Sequence, residues 1–216
     1  MRLILVRHGE TTHNVRGIMQ GQMDTHLTEK GRMQARVLGE VLKNEKIDFI
    51  YASTLTRAID TAKEIAKHHG LKICAASELN ERAYGVLEGM EINEMKRRWP
   101  HEFEDGLEWE IFSRPEKGEH YWDVQSRAVP FIKKLAETHK GKTVVVVSHG
   151  DTNRVILTSL LGLKGADKYS VKQSNVCINE IFFEGGSRVR IHRLNDTAHL
   201  QHVFEQQVRE EEGRPS

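Results

Sequence analysis

Two continuous hydrophobic runs, rich in β-branched residues, lie at residues 2–6 and 143–147. Such runs are typical of strands that are buried on both faces, as in parallel sheets covered by helices. A shorter strand is predicted over residues 48–52. Two glycines separate the apolar segments 176–184 and 188–193, and this pattern predicts a hairpin that closes the sheet.

Apolar residues recur at helical spacing in the segments that separate these strands. Thr28 is the predicted N-cap of one helix, Gly70 closes another, and a third is predicted to start at Asp151 and to end at Gly162. Pro130 predicts a kink or a break in a further helical stretch. Strands that alternate with helices of ten or more residues indicate an α/β domain with a largely parallel sheet.

The composition narrows the class of partner. The 216-residue chain is 38% hydrophobic and 29% charged, with a net charge of +1 and interspersed acids and bases. This balance argues against nucleic acid or a membrane as the main partner, and no apolar run approaches the roughly 18 residues of a membrane span. Cys74 and Cys177 are interpreted as reduced thiols. Because no signal peptide is recognisable, we expect a cytoplasmic location.

Two short stretches resemble each other, LILVRHGET at residues 3–11 and VVVVSHGDT at residues 144–152. Each is an apolar strand followed by His-Gly, an acid and a threonine. Ligands of open α/β sheets bind beyond the carboxyl ends of the strands. If the two strands are parallel neighbours, His8 and His149 lie at the same rim. One histidine at a strand end is more often structural, but two in matching contexts indicate a site.

The residues around these histidines fit nucleophilic attack on phosphorus. A neutral imidazole is a competent nucleophile near neutral pH, and Arg7 offers a bidentate fork for phosphoryl oxygens. Gly9 and Gly150 would let the backbone approach an anion, and the helix starting at Asp151 would add N–H donors. Arg57 is predicted in the first turn of a helix, where a cation opposes the helix dipole unless an anion binds there.

Four motifs together resemble the histidine phosphatase superfamily: RHGE at 7–10, ASTLTRAIDTA at 52–62, LNERAYG at 79–85 and SHGD at 148–151. The similarity is to the branch of the cofactor-dependent phosphoglycerate mutases and the small broad-specificity and α-ribazole phosphatases. It implies a three-layer α/β sandwich, with a mostly parallel central sheet flanked by helices and a helical insert over the active-site rim. A single domain is expected over residues 1–204, with the insert at roughly 90–125 and a frayed polar tail at 205–216.

The resemblance also implies the role of each site residue. The catalytic residues would be His8, the nucleophile that becomes phosphorylated, Glu81, the general acid, and His149. The phosphoryl group would be bound by Arg7, Asn14, Arg57, His149 and Gly150. Contacts to the rest of the substrate would come from Gln20, Gly21, Arg82 and Tyr84. No cofactor and no metal is expected, because the histidine itself carries the phosphoryl group.

Two departures from the mutases favour a phosphatase acting on a small phosphorylated metabolite. The segment between Glu81 and His149 is compact, and Ile92 stands where the mutases place a lysine. A mutase remains an alternative, with residues 96–98 as a replacement anion clamp rather than a solvated face. A second alternative is a phosphoprotein-binding or regulatory phosphatase. A homodimer is possible, because the sequence shows no interface that decides the oligomeric state.

The predicted insert is rich in aromatic residues. It holds Trp99, Trp109 and Trp122, together with Phe103, Phe112 and Tyr121. These side chains would either wall the site and favour a bulky or apolar leaving group, or form a small satellite core under a long connection.

Overall fold

The computed structural model describes residues 1–98, 100, 114–163, 171–185 and 188–201. Within these residues, six strands form one sheet in the order β3-β2-β4-β1-β5-β6. The strands are β1 (Arg2–Arg7), β2 (Phe49–Ala52), β3 (Ile73–Ala75), β4 (Thr143–Ser148), β5 (Ile178–Gly185) and β6 (Arg188–Asp196). The first four strands in that order are parallel, and β5 is antiparallel to both β1 and β6. The largely parallel sheet and its closing hairpin are therefore confirmed.

The helices are α1 (Thr12–Arg16), α2 (Glu29–Leu42), α3 (Thr56–His69), α4 (Ile92–Arg98), α5 (Tyr121–Thr138) and α6 (Gly150–Leu160). Two predicted caps are confirmed: the Thr28 hydroxyl accepts the N–H of Gly31, and Gly70 ends α3 with φ +62°. Of the kink or break predicted at Pro130, the break is wrong, because α5 continues through it, and the kink stays a prediction. Pro130 and Ser126 are both exposed, so the Ser126 carbonyl that loses its helical donor faces the solvent side of the helix.

The alternating side chains of the central strands separate two cores. On one face, Ile4 and Val6 of β1 pack in a cluster with buried residues of α2 and α3. On the other face, Leu3 and Leu5 pack in a cluster with buried residues of α5 and α6. Period-two alternation therefore places helices on both faces of the sheet, which is the three-layer α/β sandwich expected from the resemblance.

The sheet register brings the two His-Gly turns together. Arg7 at the end of β1 lies opposite Ser148 at the end of β4, and the two strands are parallel neighbours. The N–H of His8 donates to the carbonyl of Ser148 at 3.0 Å. His8 and His149 therefore emerge at equivalent positions of one rim, as the repeated motif predicts.

Part of the predicted insert and the C-terminal tail lie outside the described residues. The insert begins with α4, whose Met95 packs on Tyr84 and Leu87, but Trp99 and residues 101–113, which include Trp109, are not described. The tail at 205–216 is also outside, so the domain boundary at 204 stays a prediction. Among the described helices, none is long and apolar enough to cross a membrane.

Candidate active site

The structure holds His8 with one ring nitrogen ready to attack. The ring is 2% exposed, and its Nδ1 lies 2.7 Å from the Gly9 carbonyl. Because a carbonyl only accepts, Nδ1 carries the hydrogen and Nε2 keeps a free lone pair. Burial, followed by the charges of Arg57 and Arg7, holds the pKa of His8 well below its ordinary value of 6.5. The neutral, nucleophilic form therefore prevails near neutral pH.

A second neutral histidine lies beside it. The ring centroids of His8 and His149 are 5.1 Å apart. His149 accepts a hydrogen bond at Nδ1 from Arg57 Nε at 3.2 Å, so its Nε2 carries the hydrogen and donates to Ser53 Oγ at 2.7 Å. The Ser53 hydroxyl in turn donates to the side chain of Asn80 at 2.9 Å. Burial, then the neighbouring cations, lowers the pKa of His149 well below 6.5.

Arg57 is a fixed positive charge in the first turn of α3, as predicted. It is fully buried, and besides His149 it donates to the carbonyls of Gly21 at 2.7 Å and Met23 at 2.8 Å. Burial lowers the pKa of Arg57 to about 10, so the guanidinium stays protonated at neutral pH. At this helix end the Asp24 carboxylate accepts the Thr56 N–H at 3.0 Å and offsets part of the unfavourable placement of the cation. An anion bound beside Arg57 would offset more of it.

Arg7 has a buried donor that the described residues leave unsatisfied. Its Nη1 donates to the Gln173 carbonyl at 2.6 Å, but its Nε is buried without a hydrogen-bond partner among the described residues. A Cβ added to Gly150 would lie 3.5 Å from this Nε and 3.8 Å from Glu81 Oε2, so the arginine and the acid flank the same glycine. Buried unpartnered donors are rare, and one on a cation indicates an anion site.

The two site glycines have different reasons for lacking a side chain. At Gly150 an added Cβ meets only the Arg7 and Glu81 side chains, at ordinary contact distances. At Gly9 it would lie 2.6 Å from the carbonyl oxygen of Gly31 in α2. Close packing of α2 therefore requires Gly9, whereas the sequence interpretation attributed it to the approach of an anion.

Glu81 is held at the N-terminus of α6. Its carboxylate accepts the backbone N–H groups of Thr152 at 3.1 Å and Asp151 at 3.3 Å, and that of Arg82 at 3.0 Å. Burial and then the negative charge of Asp151 raise the pKa of Glu81, although the Arg82 N–H hydrogen bond and the charges of Arg57 and Arg7 oppose the shift. A carboxylic acid with a raised pKa that flanks the same glycine as the buried Arg7 cation is suited to general acid catalysis.

Asp151 is a site residue that sequence reasoning missed. Its carboxylate accepts hydrogen bonds from the Tyr84 hydroxyl and from Arg154. Burial would raise its pKa, but the charges of Arg154 and Arg82 and the Tyr84 hydrogen bond lower it below the usual range. Asp151 therefore stays ionised beside Glu81, and the two acids titrate apart. The signal was the acid that directly follows the second His-Gly.

The structure also places the remaining residues of the predicted phosphate and substrate sets. The side-chain oxygen of Asn14 accepts from the Thr11 N–H at 3.1 Å and from the Asn175 amide, which also donates to the His8 carbonyl at 3.0 Å. The side-chain oxygen of Gln20 accepts from the hydroxyls of Thr11 and Thr25, each at 2.8 Å. Asn14 is thus linked to His8 through Asn175.

Arg82 and Tyr84 are buried beside the acids. Arg82 donates from Nε to the Glu119 carbonyl at 2.9 Å, and its guanidinium carbon lies 4.9 Å from the centroid of the Tyr84 ring. The charge of Arg82 and the hydroxyl of Tyr84 both stabilise ionised Asp151. The described contacts of both are with protein, and substrate contact stays a prediction. Within the described ranges, no cluster of three or more His, Cys, Asp or Glu residues could hold a metal ion.

Comparison with known families decides the class of protein. The model of the histidine phosphatase superfamily (branch 1) matches residues 3–197. The chain belongs to this superfamily. The resemblance inferred from the four motifs is confirmed, and with it the prediction of a phosphatase that works through a phosphohistidine.

Individual relatives of this histidine phosphatase include hydrolases and mutases. It is 34% identical over 204 residues to phosphoserine phosphatase 1 of Hydrogenobacter thermophilus, covering 94% of this chain and 96% of that one. It is 33% identical over 172 residues to a 2,3-bisphosphoglycerate-dependent phosphoglycerate mutase of Bartonella tribocorum, covering 76% and 84%. The structure of a mycobacterial glucosyl-3-phosphoglycerate phosphatase complexed with VO3 superposes with a TM-score of 0.84, 29% identity and coverage of 91% and 99%. The phosphatases therefore align over more of the chain than the mutase does.

Proposed function

We propose that this phosphatase hydrolyses small phosphate monoesters by way of a phosphohistidine on His8. In this proposal Arg7, Arg57 and His149 bind the phosphoryl oxygens, and Glu81 donates the proton to the leaving oxygen. The observation that carries the assignment is the buried Nε of Arg7, which has no hydrogen-bond partner among the described residues and flanks Gly150 together with the Glu81 carboxyl group. That donor is matched by an equatorial phosphoryl oxygen, where negative charge accumulates.

The geometry supports two steps that share the same residues. In the first, the Nε2 lone pair of His8 forms a bond to phosphorus while the ester P–O bond breaks, and the Glu81 proton moves to the departing oxygen. In the second, ionised Glu81 takes a proton from water, whose oxygen bonds to phosphorus as the P–N bond breaks. Inorganic phosphate leaves, and both residues return to their starting protonation states. The hydrogen bond from Nδ1 to the Gly9 carbonyl keeps the ring oriented throughout.

The outer face of α4 supports hydrolysis over mutase activity. Lys96, Arg97 and Arg98 are all exposed, and Arg98 pairs with Glu94 at 2.8 Å. This basic run therefore has the contacts of a solvated helix face rather than those of a clamp for a substrate carboxylate.

Similar enzymes suggest where to look for the substrate. The names of relatives include phosphoserine phosphatase and glucosyl-3-phosphoglycerate phosphatase, so phosphoserine and phosphoglycerate esters are the first candidates. A cytoplasmic location and a homodimer stay predictions. The former is supported by Cys74 and Cys177, which are both free thiols.

Phosphorus NMR with nitrophenyl phosphate, phosphoserine and 3-phosphoglycerate, the last with a trace of 2,3-bisphosphoglycerate, tests the reaction class. We expect inorganic phosphate and no 2-phosphoglycerate. Alkaline quenching of the reaction should trap a phosphohistidine on the wild-type protein and on Glu81→Ala, but not on His8→Ala. Accumulation of 2-phosphoglycerate would mean a mutase, and a phosphorylated His8→Ala protein would remove His8 from the nucleophile role.

A further inference from the structure

An arginine from α5 holds the loop that carries Glu81. The Nη1 of Arg127 donates to the carbonyls of Glu78 at 2.8 Å and Asn80 at 2.7 Å, and its Nη2 donates to the carbonyl of Glu81 at 3.0 Å. Glu78 lies in the short 3₁₀ turn Ser77–Leu79, Asn80 and Glu81 follow it, and none of the three belongs to an α-helix or a strand. One side chain therefore binds three carbonyls of the acid-bearing loop.

Glu119 completes this arrangement from the chain that returns from the insert. Its carboxylate pairs with Arg127 through two hydrogen bonds, Nε to Oε1 at 2.8 Å and Nη2 to Oε2 at 2.9 Å. The same Oε2 accepts the N–H of Ala83 at 2.9 Å, and the Glu119 N–H donates to the Ala83 carbonyl at 2.8 Å. Glu119 thus fixes the loop on the other side of Glu81.

The pair uses the full donor capacity of an arginine. A guanidinium has five N–H groups in one plane, and the five hydrogen bonds of Arg127 go to Glu119 and the three loop carbonyls. Both side chains are about one fifth exposed, with values of 20% and 21%, so the pair is only partly screened by water. A lysine has three donors on a flexible stem and could not reproduce the fork.

We propose that the Glu119–Arg127 pair is a positioning device for the general acid, which fixes the backbone at Glu81 so that its carboxyl group reaches the leaving oxygen. Neither residue touches the reacting atoms. The inference rests on the proposed acid role of Glu81. A misplacement of about 1 Å can reduce catalysis on the order of 100-fold, so a loop without its own ladder needs such a brace.

The test compares an ester that needs the acid with one that does not. Nitrophenyl phosphate has a good leaving group and needs little protonation, whereas glycerol 2-phosphate needs a proton donor. In a phosphoenzyme mechanism kcat/KM reports the steps up to phosphohistidine formation, so later hydrolysis does not obscure the comparison. We expect Arg127→Ala to lower kcat/KM at least about 10-fold more for the alkyl ester than for the aryl ester.

A double-mutant cycle with Glu81→Ala shows whether the effect passes through the acid. When Glu81 is already absent, Arg127→Ala should lower kcat/KM for the alkyl ester by no more than about 2-fold, because coupled positions are not additive. Arg36→Ala is the matched control, since this exposed arginine of α2 pairs with Glu29 at 3.5 Å and lies outside the site. It should leave both esters unchanged.

If Arg127→Ala lowers kcat/KM equally for the two esters, the pair only supports the fold and the proposal is overturned. Additive losses of kcat/KM in the double-mutant cycle would overturn it as well. If Arg127→Ala does not fold, Arg127→Lys and Glu119→Gln keep part of the hydrogen bonding and carry the same comparison. A Glu81→Ala protein that affects both esters equally would instead refute the acid role itself. The failure of the proposed function is thereby distinguished from the failure of this inference.

Discussion

The Gly150→Ala substitution adds one methyl group, which should weaken phosphate binding without lowering the free energy of unfolding. Gly150 is the first residue of α6, and its φ lies outside the left-handed range that favours glycine. An alanine Cβ there would lie 3.5 Å from Arg7 Nε, 3.6 Å from Arg7 Cζ and 3.8 Å from Glu81 Oε2. These are ordinary van der Waals distances, so the fold accepts the methyl group. In the proposed site, however, that group competes with the phosphoryl oxygen for the space beside Nε.

The expected magnitude follows from the loss of one charge-assisted hydrogen bond. Such a bond contributes about 1.5–3 kcal/mol, and every 1.36 kcal/mol is a factor of ten in rate. We therefore expect Gly150→Ala to lower kcat/KM by roughly 10- to 150-fold. The free energy of unfolding should stay level or rise, because alanine is favoured over glycine in helices by up to about 1 kcal/mol.

Gly9→Ala is the matched control, because it adds the same methyl group at the glycine of the other His-Gly turn. Its Cβ would lie 2.6 Å from the Gly31 carbonyl oxygen and 3.2 Å from the carbon of that group, and both atoms are backbone. Overpacking of this kind destabilises by about 1–3 kcal/mol. We therefore expect Gly9→Ala to reduce the free energy of unfolding, which Gly150→Ala should not do.

The assay is kcat/KM on nitrophenyl phosphate, with the inhibition constant of vanadate and urea unfolding measured on the same preparations. A Gly150→Ala protein with wild-type activity and wild-type vanadate affinity would show that the Arg7 Nε does not contact the phosphoryl group. Loss of activity in proportion to loss of stability would equally refute the reasoning, because the structure provides room for the methyl group.

Three further predictions concern the buried ionisable side chains of the site. Asp151→Asn removes the negative charge that raises the pKa of Glu81, so the fall in kcat/KM at high pH should move to lower pH; an unmoved profile would contradict this. Arg57→Ala leaves two buried acceptors, His149 Nδ1 and the Gly21 carbonyl, and the part-buried Met23 carbonyl without this donor, and should lower the free energy of unfolding by about 3 kcal/mol or more, measured in urea. His8 and His149 are neutral when folded and bind protons below their unfolded pKa of 6.5 only on unfolding, so stability should fall as the pH drops from 7 to 5.5. A flat urea midpoint over that range would refute it.

The strands and helix ends could be predicted from the sequence, because the interactions that determine them join neighbouring residues. The apolar runs at β1 and β4 identify strands buried on both faces, and Thr28 and Gly70 satisfy the ends of helices through side-chain or backbone chemistry that neighbouring residues reveal. The meeting of His8 and His149 followed from one further rule, that neighbouring parallel strands end at the same edge. The break predicted at Pro130 was wrong, because water can bind the exposed Ser126 carbonyl that loses its helical donor.

The contacts that tune the site could not be predicted, because they join residues far apart in sequence. Arg127 binds the carbonyls of residues 78–81, which lie 46–49 positions earlier. Backbone carbonyls leave no mark in the residue types of a loop, so no pattern indicates such an arginine. The raised pKa of Glu81 likewise depends on Asp151, 70 positions later, whose own ionisation depends on Arg154 and Tyr84.

The charged groups of the site prepare both reactants, and the phosphoryl group of the substrate then supports the second step. Burial, together with the charges of Arg57 and Arg7, keeps His8 neutral, so the nucleophile needs no base. Burial and the charge of Asp151 favour the protonated form of Glu81. Once the phosphoryl group is on His8 and the alcohol has taken the Glu81 proton, the negative charge that the phosphoryl oxygens brought with the substrate stays beside the ionised acid. That charge, like the charge of Asp151, raises the proton affinity of Glu81. The carboxylate that remains is therefore a stronger base towards the incoming water than an isolated glutamate, which favours hydrolysis in the second step.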